Sequence, residues 1–579
     1  MFKRSPSLLP LNKYLFQVII GPLLKLFEVA CELFIPFITK FMIDDGIANK
    51  DWKYTLILGA VMLGMALVSF GITLIAQWLA ARVSADYGYD LRKQMFAHLH
   101  DLSDQQIDTF GKDKALTLVN NDSFALQNGV MMYMRLLVRS PMLILGSIVL
   151  SFLVDYRAGL IFLGAILLSS AVLALVVILS PKRYAALQGD LDAISSLGGD
   201  TLRGARPIRA FDKEKEEKEA FAQASERYRK DGLAVGRLNA IINPLTFCFV
   251  NLGLAFLVYL SGGLINQGSS TFTQGSVIAL LSYLTSSLAA LVMVSRLIVS
   301  LNRALASQKR VDAFLNVAPA IVNKATKSRR DEVPGAPLLE FRGVSLTYGR
   351  LGDKPAVKDL SFSLQEGETL GLIGGTGSGK STTIALLERL YEPSEGEILY
   401  RGLPLDEYDL VELRQEIALV SQKPSLFAGT IRSNLLLGNP LATEEEIAQA
   451  LSDSLAQEFV SSYPDGLEHP VEQGGANLSG GQKQRLLIAR GLLHGGDVLI
   501  LDDSTSALDF LSDKKVRSNL GKKKNLTKII VSQRATSLAN CSKILVYDNG
   551  GIIAEGTHET LLSSCPVYRE IYEMQVASR

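Results

Sequence analysis

Cysteine is scarce in this sequence, and so is any excess of charge of one sign. The 579 residues include four cysteines, Cys31, Cys248, Cys541 and Cys565, which lie far apart and lack the spacing of metal ligands. They predict reduced, structural thiols. The 59 basic and 58 acidic residues leave a net charge of +1, so no overall field favours nucleic acid or an acidic partner. Partners must therefore be inferred from local sites.

The N-terminal segment lacks the pattern of a cleaved leader. MFKRSPSLLPLNKYLF contains basic residues, but no short apolar core ending in small residues follows it. We therefore expect the first apolar stretch to remain in the protein as a membrane-spanning helix.

Long apolar stretches are concentrated in the first half of the chain. Hydrophobic residues make up 48% of the sequence, and its mean hydropathy is +0.22. A helix needs about 20 mostly apolar residues to cross a bilayer core of about 30 Å. Six stretches before residue 310 meet this need and predict six transmembrane helices, near 15–43, 55–82, 129–154, 157–180, 239–265 and 274–300.

Basic residues are distributed unevenly over the links between these stretches. Lys and Arg crowd the N-terminus, residues 82–115 and residues 182–237, whereas the loop after the fifth stretch has none. Because positive residues favour the cytoplasmic side, we expect both termini and both long links there. The long links, 83–127 and 181–238, are polar with scattered apolar positions, which predicts helices that continue beyond the membrane.

A change of composition divides the chain. Residues 1–310 are predicted to form an α-helical membrane domain with long cytoplasmic extensions, and the charged stretch 311–337 is predicted to be a linker. Residues 338–579 contain apolar runs, such as TLGLIG and DVLILDD, that lead into loops and helices. Such runs are typical of the buried strands of an α/β domain.

The sequence GGTGSGKS at 374–381 fits the phosphate-binding pattern G-x-x-x-x-G-K-[ST]. It follows an apolar strand and precedes a helical segment, which is the context that this pattern requires. Glycines let backbone N–H groups turn toward phosphate oxygens, and the helix N-terminus favours negative charge. Lys380 is expected to reach the β- and γ-phosphates, and Ser381 to bind Mg²⁺. Overlapping glycines also imitate a dinucleotide fingerprint, but GKS in this context favours the P-loop.

Two further motifs point to the same site. The apolar strand Val498–Leu501 ends at Asp502, as expected of the carboxylate that holds Mg²⁺ through water in P-loop ATPases. LSGGQKQR at 478–485 lies between the P-loop and this strand, and with it the sequence resembles the ABC transporter family. The resemblance covers essentially the whole chain. It implies an exporter in which six transmembrane helices are joined to an α/β P-loop ATPase domain with a helical subdomain.

The resemblance also implies roles for individual residues. Tyr348 matches the aromatic residue that stacks on adenine, Gln422 the glutamine that touches Mg²⁺, and Asp509 a loop that crosses the dimer interface. Two such ATPase domains face head to tail, so the signature of one closes over the ATP of the other. The implied ATP-binding residues are Tyr348, Gly374, Gly375, Thr376, Gly377, Ser378, Gly379, Lys380, Ser381, Thr382 and Gln422; the Mg²⁺ ligands are Ser381, Gln422 and Asp502; and the signature residues that act on the partner's ATP are Ser479, Gly480, Gly481 and Gln482.

Two positions depart from the family pattern. Asp503 stands where the family has a catalytic glutamate, and its side chain is shorter by one methylene. Gln533 stands where the family has a histidine, and it cannot become cationic. Both departures resemble the impaired subunit of heterodimeric exporters, in which this chain's P-loop site is weak while its signature completes the partner's active site. Tolerated, neutral substitutions are the alternative.

Charged residues in the first apolar stretch are candidates for contact with a substrate. Lys25, Glu28 and Glu32 share one helix face at i, i+3 and i+7. Ionisable groups at membrane depth are costly and usually face a cavity or a partner helix. An ion pair between Lys25 and Glu28 is the alternative to a role in a substrate cavity, while Glu32 has no cation of its own in this helix. A negative group there would favour small, amphipathic, cationic compounds.

Taken together, these patterns predict one half of an ATP-driven multidrug exporter in the plasma membrane. ATP and Mg²⁺ are the expected cofactors. A second, non-identical half-transporter and the lipid bilayer are the expected partners, and nucleic acid is not. A peptide or lipid exporter half and a nucleotide-gated regulatory membrane subunit are the alternatives. Segments 106–122 and 199–217 match places where the family carries short coupling helices, and we expect them to dock against the ATPase domains.

Overall fold

The chain divides into two compact units. One comprises Met1–Leu99 and Lys112–Val317, and the other comprises His100–Gly111 and Ala318–Arg579. Over its described residues the first unit contains helices and no strand, whereas the second combines strands and helices. The computed structural model describes residues 5–266, 273–324, 326–348, 354–423, 425–504 and 508–577.

The first unit is built from long helices. A 3₁₀ helix, Pro6–Tyr14, precedes them, and π-helical turns occur at Met42–Ile47 and Leu118–Asp122. The α-helices described up to Val317 are α1 (Leu15–Phe41), α2 (Trp52–Asp101), α3 (Asp104–Phe110), α4 (Lys112–Thr117), α5 (Ser123–Leu136), α6 (Arg139–Val154), α7 (Tyr156–Arg203), α8 (Ala205–Ala210), α9 (Glu214–Asn266) and α10 (Gln274–Leu315). Of these, α3 belongs to the second unit.

Four runs in the described part of the chain are long and apolar enough to cross a membrane. They are Trp52–Asp101, Lys112–Val154, Pro244–Gly263 and Gln274–Leu315, judged by length and composition. The sequence-based prediction of six spans is thus confirmed for four. The other two correspond to α1, which carries Lys25, Glu28 and Glu32 within its apolar run, and to α7, of which Tyr156–Val172 is the apolar segment among the described residues. The loop predicted after the fifth span falls largely on residues 267–272, outside the described residues.

The core of the first unit lies among α1, α6, α7, α9 and α10. Val29 and Leu33 of α1 pack with Leu143 of α6 and Tyr283 of α10. The Tyr283 hydroxyl donates a hydrogen bond of 2.9 Å to the Leu33 carbonyl. A Cβ added to Gly146 of α6 would lie 2.2 Å from Leu33 Cδ1, so the glycine lets α1 and α6 approach closely. This contact fixes which side of α1 faces α6.

The second unit contains three sheets. Apolar, often β-branched residues buried on both faces explain its central strands, as in the burial of all but the first residue of TLGLIG. Its strands are β1 (Leu339–Leu346), β2 (Val357–Leu364), β3 (Thr369–Gly374), β4 (Glu395–Tyr400), β5 (Leu403–Pro404), β6 (Ile417–Val420), β7 (Gly429–Thr430), β8 (Pro470–Val471), β9 (Val498–Asp502), β10 (Thr527–Val531), β11 (Lys543–Asp548) and β12 (Gly551–Gly556).

The largest sheet has the order β12-β11-β3-β10-β9-β6. Its strands run parallel except for β12, which pairs antiparallel with β11. An antiparallel sheet has the order β2-β1-β4-β5, and β7 pairs with β8 alone. This arrangement confirms the predicted α/β domain.

The helices of the second unit belong to more than one core. Besides α3, the described α-helices of this unit are α11 (Lys380–Leu387), α12 (Leu410–Glu416), α13 (Ile431–Leu435), α14 (Glu444–Asp453), α15 (Gln457–Ser462), α16 (Gly480–His494), α17 (Phe510–Lys522), α18 (Ala535–Leu538), α19 (His558–Ser564) and α20 (Pro566–Ala577). Those between β7 and β9 bury Ile431, Ile447, Val460 and Leu487 in one core, which they share with residues of β6, β9 and α17.

Helix α3 belongs to the second unit although both flanking stretches belong to the first. Ser103 and Gln106 form a capping box at its start. The Gln106 side chain donates to the Ala318 carbonyl at 2.7 Å and accepts from the Ala320 N–H at 3.0 Å. The segment expected to dock, 106–122, is therefore part of the second unit only as far as Gly111, and 199–217 remains in the first unit.

The stretch predicted as a linker is bound to the second unit in its C-terminal part. Val333 N–H donates to the Arg401 carbonyl at 3.1 Å. The Arg401 side chain, which is only 12% exposed, pairs with Glu332 of the same stretch at 3.2 Å and with Asp497 at 2.7 Å. A half-buried network of charges thus holds the C-terminal part of the predicted linker against the turn after β4 and the residue before β9. We call this network the clamp.

Arg401→Ala is expected to destabilise the second unit by about 1.5–3 kcal/mol, the contribution of a hydrogen bond to a charged group, because Glu332 and Asp497 would keep only the more exposed Arg329 as a cation. Thermal unfolding of the purified full chain in detergent would record this as a fall of several degrees. Arg342→Ala is the matched control, since Arg342 pairs with Glu340 and Glu397 at the surface, where such pairs contribute about 0–1 kcal/mol. Equal shifts for the two variants would contradict a clamp.

Candidate functional site

The P-loop lies at the carboxyl end of β3, where the chain turns into α11. Gly377 and Gly379 have φ values of +78° and +104°, which side chains other than glycine rarely adopt. A Cβ on Gly379 would also lie 2.7 Å from Val357 Cγ1. The loop therefore depends on glycine for both conformation and space. Its N–H groups and the first turn of α11 form the concave, electropositive surface that phosphate requires.

Lys380 is buried over this loop. Its Nζ donates to the carbonyls of Gly374 at 2.9 Å and Gly375 at 2.7 Å, and to Ser378 Oγ at 3.1 Å. Burial lowers the pKa of Lys380, and the charge of Asp502 partly opposes this shift. The ammonium is thus held by neutral acceptors. Phosphate oxygens could replace them and compensate the buried charge.

Ser381 and Asp502 bring two oxygen ligands together. Ser381 Oγ donates to Asp502 Oδ2 at 3.3 Å, although the two residues are far apart in sequence. Burial raises the pKa of Asp502, and the hydrogen bond from Ser381 lowers it in part. A hydroxyl and a carboxylate suit Mg²⁺, which binds few protein ligands and keeps water and phosphate oxygens. No group of three or more His, Cys, Asp or Glu side chains could hold a metal by itself within the described residues.

Asp503 follows directly at the end of β9. Its backbone has φ of +45°, a left-handed conformation that aspartate tolerates better than most residues. Gln422 Nε2 donates to Asp503 Oδ2 at 3.4 Å, so the two predicted site residues are neighbours. Burial raises the pKa of Asp503, and this hydrogen bond opposes the shift. The carboxylate is therefore positioned by Gln422 at the same edge as Asp502.

Gln533 lies in the turn between β10 and α18. Strand β10 lies between β3 and β9, with Val531 opposite Leu372 on one side and Asp502 on the other. The turn consequently leaves the sheet at the edge that carries the P-loop and the carboxylates. The Gln533 side chain is exposed, and its backbone carbonyl accepts a hydrogen bond of 2.8 Å from Gln575 of α20.

Tyr348 borders the P-loop helix. Its hydroxyl donates to Thr382 Oγ1 at 3.2 Å, and its ring meets Tyr391 edge to face with centroids 5.1 Å apart. The residue is 40% exposed, so part of its side chain is open to solvent. The sequence did not suggest Tyr391, because a lone tyrosine carries no motif.

The signature forms the start of α16. Ser479 Oγ accepts from Gln482 N–H at 3.3 Å, and Ser479 N–H donates to Gln482 Oε1 at 2.9 Å, which is a capping box. Ser479 and Gly480 are exposed, whereas Leu478 before them is buried. The helix therefore presents its N-terminus to solvent.

Asp509 lies between β9 and α17 in the chain and is close to Arg485 of the signature helix. It caps α17 by accepting from Ser512 N–H at 2.9 Å, and this hydrogen bond lowers the pKa of Asp509. Arg485 donates to Ser512 Oγ at 3.1 Å and lies 3.8 Å from Asp509 Oδ2. Part of the predicted interface loop, residues 505–507, lies outside the described residues.

The structure thus unites some predicted residues and separates others. Hydrogen bonds join Ser381 to Asp502, Gln422 to Asp503, and Tyr348 to Thr382. The signature segment instead contacts Tyr463, directly after α15, and Ser512 of α17. The groups expected to contact the adenine ring, the phosphates and the metal of one nucleotide thus lie together around the P-loop. The signature forms a separate surface.

The charged residues of α1 form a cluster with α6. Lys25 Nζ lies 2.5 Å from Glu28 Oε2, and the Arg139 guanidinium lies 3.3 Å from Glu28 Oε1 and 3.0 Å from Glu32 Oε2. Lys25 and Glu28 are 3% and 6% exposed, which corresponds to the ion pair weighed as an alternative. The sequence missed Arg139, because the cation that Glu32 lacks in α1 comes from another helix. Two cations balance two anions, so the cluster is neutral.

Comparisons with known proteins agree with this geometry. Residues 18–289 match a family model described as the ABC transporter transmembrane region, and residues 357–506 match one described as ABC transporter. An uncharacterized ABC transporter ATP-binding protein of Mycobacterium tuberculosis is 34% identical over 565 residues, covering 96% of this chain and 95% of its own length. The uncharacterized ABC transporter ATP-binding protein YfiB of Bacillus subtilis is 33% identical over 565 residues, covering 98% and 97%.

Two more distant matches have functional descriptions. An ATP-dependent lipid A-core flippase of Haemophilus influenzae is 29% identical over 548 residues, covering 93% of this chain and 91% of its own. A solved structure described as a bacterial Atm1-family ABC exporter with ATP bound superimposes with a TM-score of 0.77 over 98% of both chains, at 22% identity. The latter likeness shows the fold.

Relatives of this identity and coverage share both units with this chain, and the P-loop, the signature and the carboxylate strand stand in their family order. The chain therefore belongs to the ABC transporter family, as an exporter half-transporter that joins a helical membrane domain to an ATPase domain and couples ATP hydrolysis to transport.

Proposed function

We propose that this chain is the weakly hydrolysing half of a heterodimeric exporter in the plasma membrane. The observation that carries the proposal is an asymmetry within one ATPase domain. The sheet edge beside the P-loop carries Asp503 and Gln533, whereas the signature at Ser479 is complete and exposed. A chain with a poor catalytic base and a good signature is suited to hold its own ATP and to complete a partner's site.

Binding of ATP depends on groups that are intact. Tyr348 would stack on the adenine, the P-loop N–H groups would bind the phosphates, and Lys380 would exchange its carbonyl acceptors for β- and γ-phosphate oxygens. Ser381 and Asp502 would hold Mg²⁺, joined by Gln422. The metal would neutralise part of the phosphate charge.

Hydrolysis at this site is limited by reach. A general base must lie within about 2.6–3.2 Å of the attacking water, and one missing methylene withdraws the Asp503 carboxylate by roughly 1.5 Å. The hydrogen bond from Gln422 further directs this short side chain. Gln533 can donate a hydrogen bond to the γ-phosphate, but it supplies no positive charge. Both changes weaken the same step.

The active site of the pair would be built on the partner's P-loop. Ser479 caps α16, so its N–H groups and hydroxyl stand at the positive end of a 15-residue helix. There they would stabilise the γ-phosphate charge that develops during cleavage. A solitary chain brings no partner signature to its own ATP and would need a second copy.

For cargo we propose small amphipathic compounds, cationic ones among them. Six transmembrane helices with both termini in the cytoplasm are part of this proposal. One relative is named as a lipid A-core flippase, which supports a lipid-like, hydrophobic cargo. A lipid exporter half is therefore the second candidate. Within the α1–α6 cluster Glu28 is buried between two cations, whereas the Glu32 side chain is 35% exposed. Glu32 is therefore the member that a cationic substrate could draw away from Arg139.

The full chain purified alone is expected to hydrolyse ATP slowly, because every site in a homodimer contains Asp503 and Gln533. Asp503→Glu combined with Gln533→His should raise steady-state turnover roughly 100-fold, since the signature is intact and a well-placed base contributes about 10²–10⁴-fold. Lys380→Ala in that background is the control and should abolish the gain. Rapid turnover by the unmodified chain, lost on Lys380→Ala, would refute the weak site.

In the assembled heterodimer we expect opposite effects from two substitutions. Asp503→Ala should leave most ATPase activity, because this base already contributes little. Ser479→Arg should lower activity about 10²–10³-fold, since it removes a donor from the developing phosphate charge. Ser461→Arg adds the same charge at an exposed position of α15 and serves as the matched control. If Asp503→Ala silences the pair and Ser479→Arg is tolerated, the two sites are assigned the wrong way round.

Glu32→Gln is expected to weaken export of cationic amphipaths roughly fivefold or more, while export of neutral ones changes little. The substitution removes the charge and keeps the shape, and a hydrogen bond to a charged group contributes about 1.5–3 kcal/mol. Transport into inverted vesicles with paired cationic and neutral dyes measures the difference. Glu216→Gln, at an exposed position of α9, is the control. Equal losses for both dyes would indicate a packing role for Glu32.

A further inference from the structure

The side chain of Gln575, in the last turn of α20, bridges the turn that carries Gln533. Its Nε2 donates to the Gln533 carbonyl at 2.8 Å, and its Oε1 accepts from Ala535 N–H at 2.9 Å. Only one orientation of the carboxamide satisfies both bonds, because a carbonyl must accept and an N–H must donate. The two bonds therefore fix the position and the tilt of the backbone on both sides of Arg534.

The same turn is bound to the nucleotide edge at its other end. Asp503 N–H donates to the Val531 carbonyl at 3.1 Å, and Ser532 N–H donates to the Leu372 carbonyl at 3.1 Å. The backbone of Gln533 is thus held between the strands of the active site and α20. Small shifts of α20 would move the Gln533 side chain relative to those strands.

Helix α20 is a firm support. Tyr568 is fully buried in a core with Leu538 and Leu561, and its hydroxyl lies 2.7 Å from His558 Nδ1. A terminal helix tied down in this way is not a frayed tail. The support reaches Gln575 through less than two turns of helix.

We propose that Gln575 is a positioning residue for recognition of the γ-phosphate. It holds the Gln533 backbone so that the exposed Gln533 amide faces the nucleotide on this chain's own P-loop. The inference rests on the proposed function, in which Gln533 contacts the γ-phosphate. It adds that the C-terminal helix sets how well this site distinguishes ATP from ADP. If Gln575 only fastens α20, its removal will affect both nucleotides alike.

The test measures the affinity of the full chain in detergent, with Mg²⁺, for ADP and for a non-hydrolysable ATP analogue that retains the γ-phosphate. Gln575→Ala should weaken binding of the analogue about fivefold, the loss expected for one hydrogen bond, and leave ADP binding unchanged. Gln575→Glu should behave alike, because a carboxylate oxygen would face the Gln533 carbonyl. Met574→Ala, at an exposed neighbour on α20, is the matched control and should change neither affinity.

A double-mutant cycle separates the inference from the proposal beneath it. If Gln575 acts through Gln533, then Gln575→Ala should have no further effect in the Gln533→Ala background. An effect of Gln533→Ala without one of Gln575→Ala would overturn this inference alone. No effect of Gln533→Ala on the preference for the triphosphate would overturn the assigned role of Gln533 as well. Equal losses of ADP and analogue binding in Gln575→Ala would show a structural fastening only.

Discussion

The parallel pairing of β3, β10 and β9 is the constraint on which the nucleotide site depends. Leu372, Val531 and Asp502 stand side by side across these three strands. Because parallel strands end at one edge, the P-loop, the turn of Gln533 and both carboxylates emerge there together. A slip of one residue in β9 would turn the Asp502 side chain to the opposite face. The buried apolar residues of the strands therefore hold catalytic geometry as well as stability.

Buried cations have different partners in the structural ion pairs and in the candidate nucleotide site. Arg401 and Lys25 are matched by carboxylates within the chain, so their charges are compensated before any ligand arrives. Lys380 is held by two carbonyls and a hydroxyl, which offer dipoles and no negative charge. A buried cation with only dipoles around it gains most from a phosphate. The kind of acceptor thus distinguishes a structural cation such as Arg401 from Lys380, which is suited to bind phosphate.

The ATPase domain carries two separate surfaces, the P-loop edge of the parallel sheet and the exposed start of the signature helix α16. The P-loop edge gathers the candidate ATP-binding residues, while Gln482 and Arg485 of α16 contact Tyr463 and Ser512. Under the proposed function, this separation lets a weak site at Asp503 and Gln533 coexist with an intact signature. The two bonds from Gln575 to the turn of Gln533 extend the P-loop edge to the C-terminal helix.

The sequence alone determined the family motifs and the α/β character of the second unit, and it named the candidate site residues. Glycine, lysine and serine at fixed spacing have few other uses after a buried strand, and apolar runs of this length specify strands or membrane helices. The sequence could not determine which distant side chains form ion pairs or hydrogen bonds with one another. Arg139 pairs with Glu32, Arg401 pairs with Glu332, and Gln575 donates a hydrogen bond to the Gln533 carbonyl, each across a long separation in the sequence. Such pairings carry no local pattern, because only helix packing and strand order bring distant residues together, and that is what the tertiary structure decided.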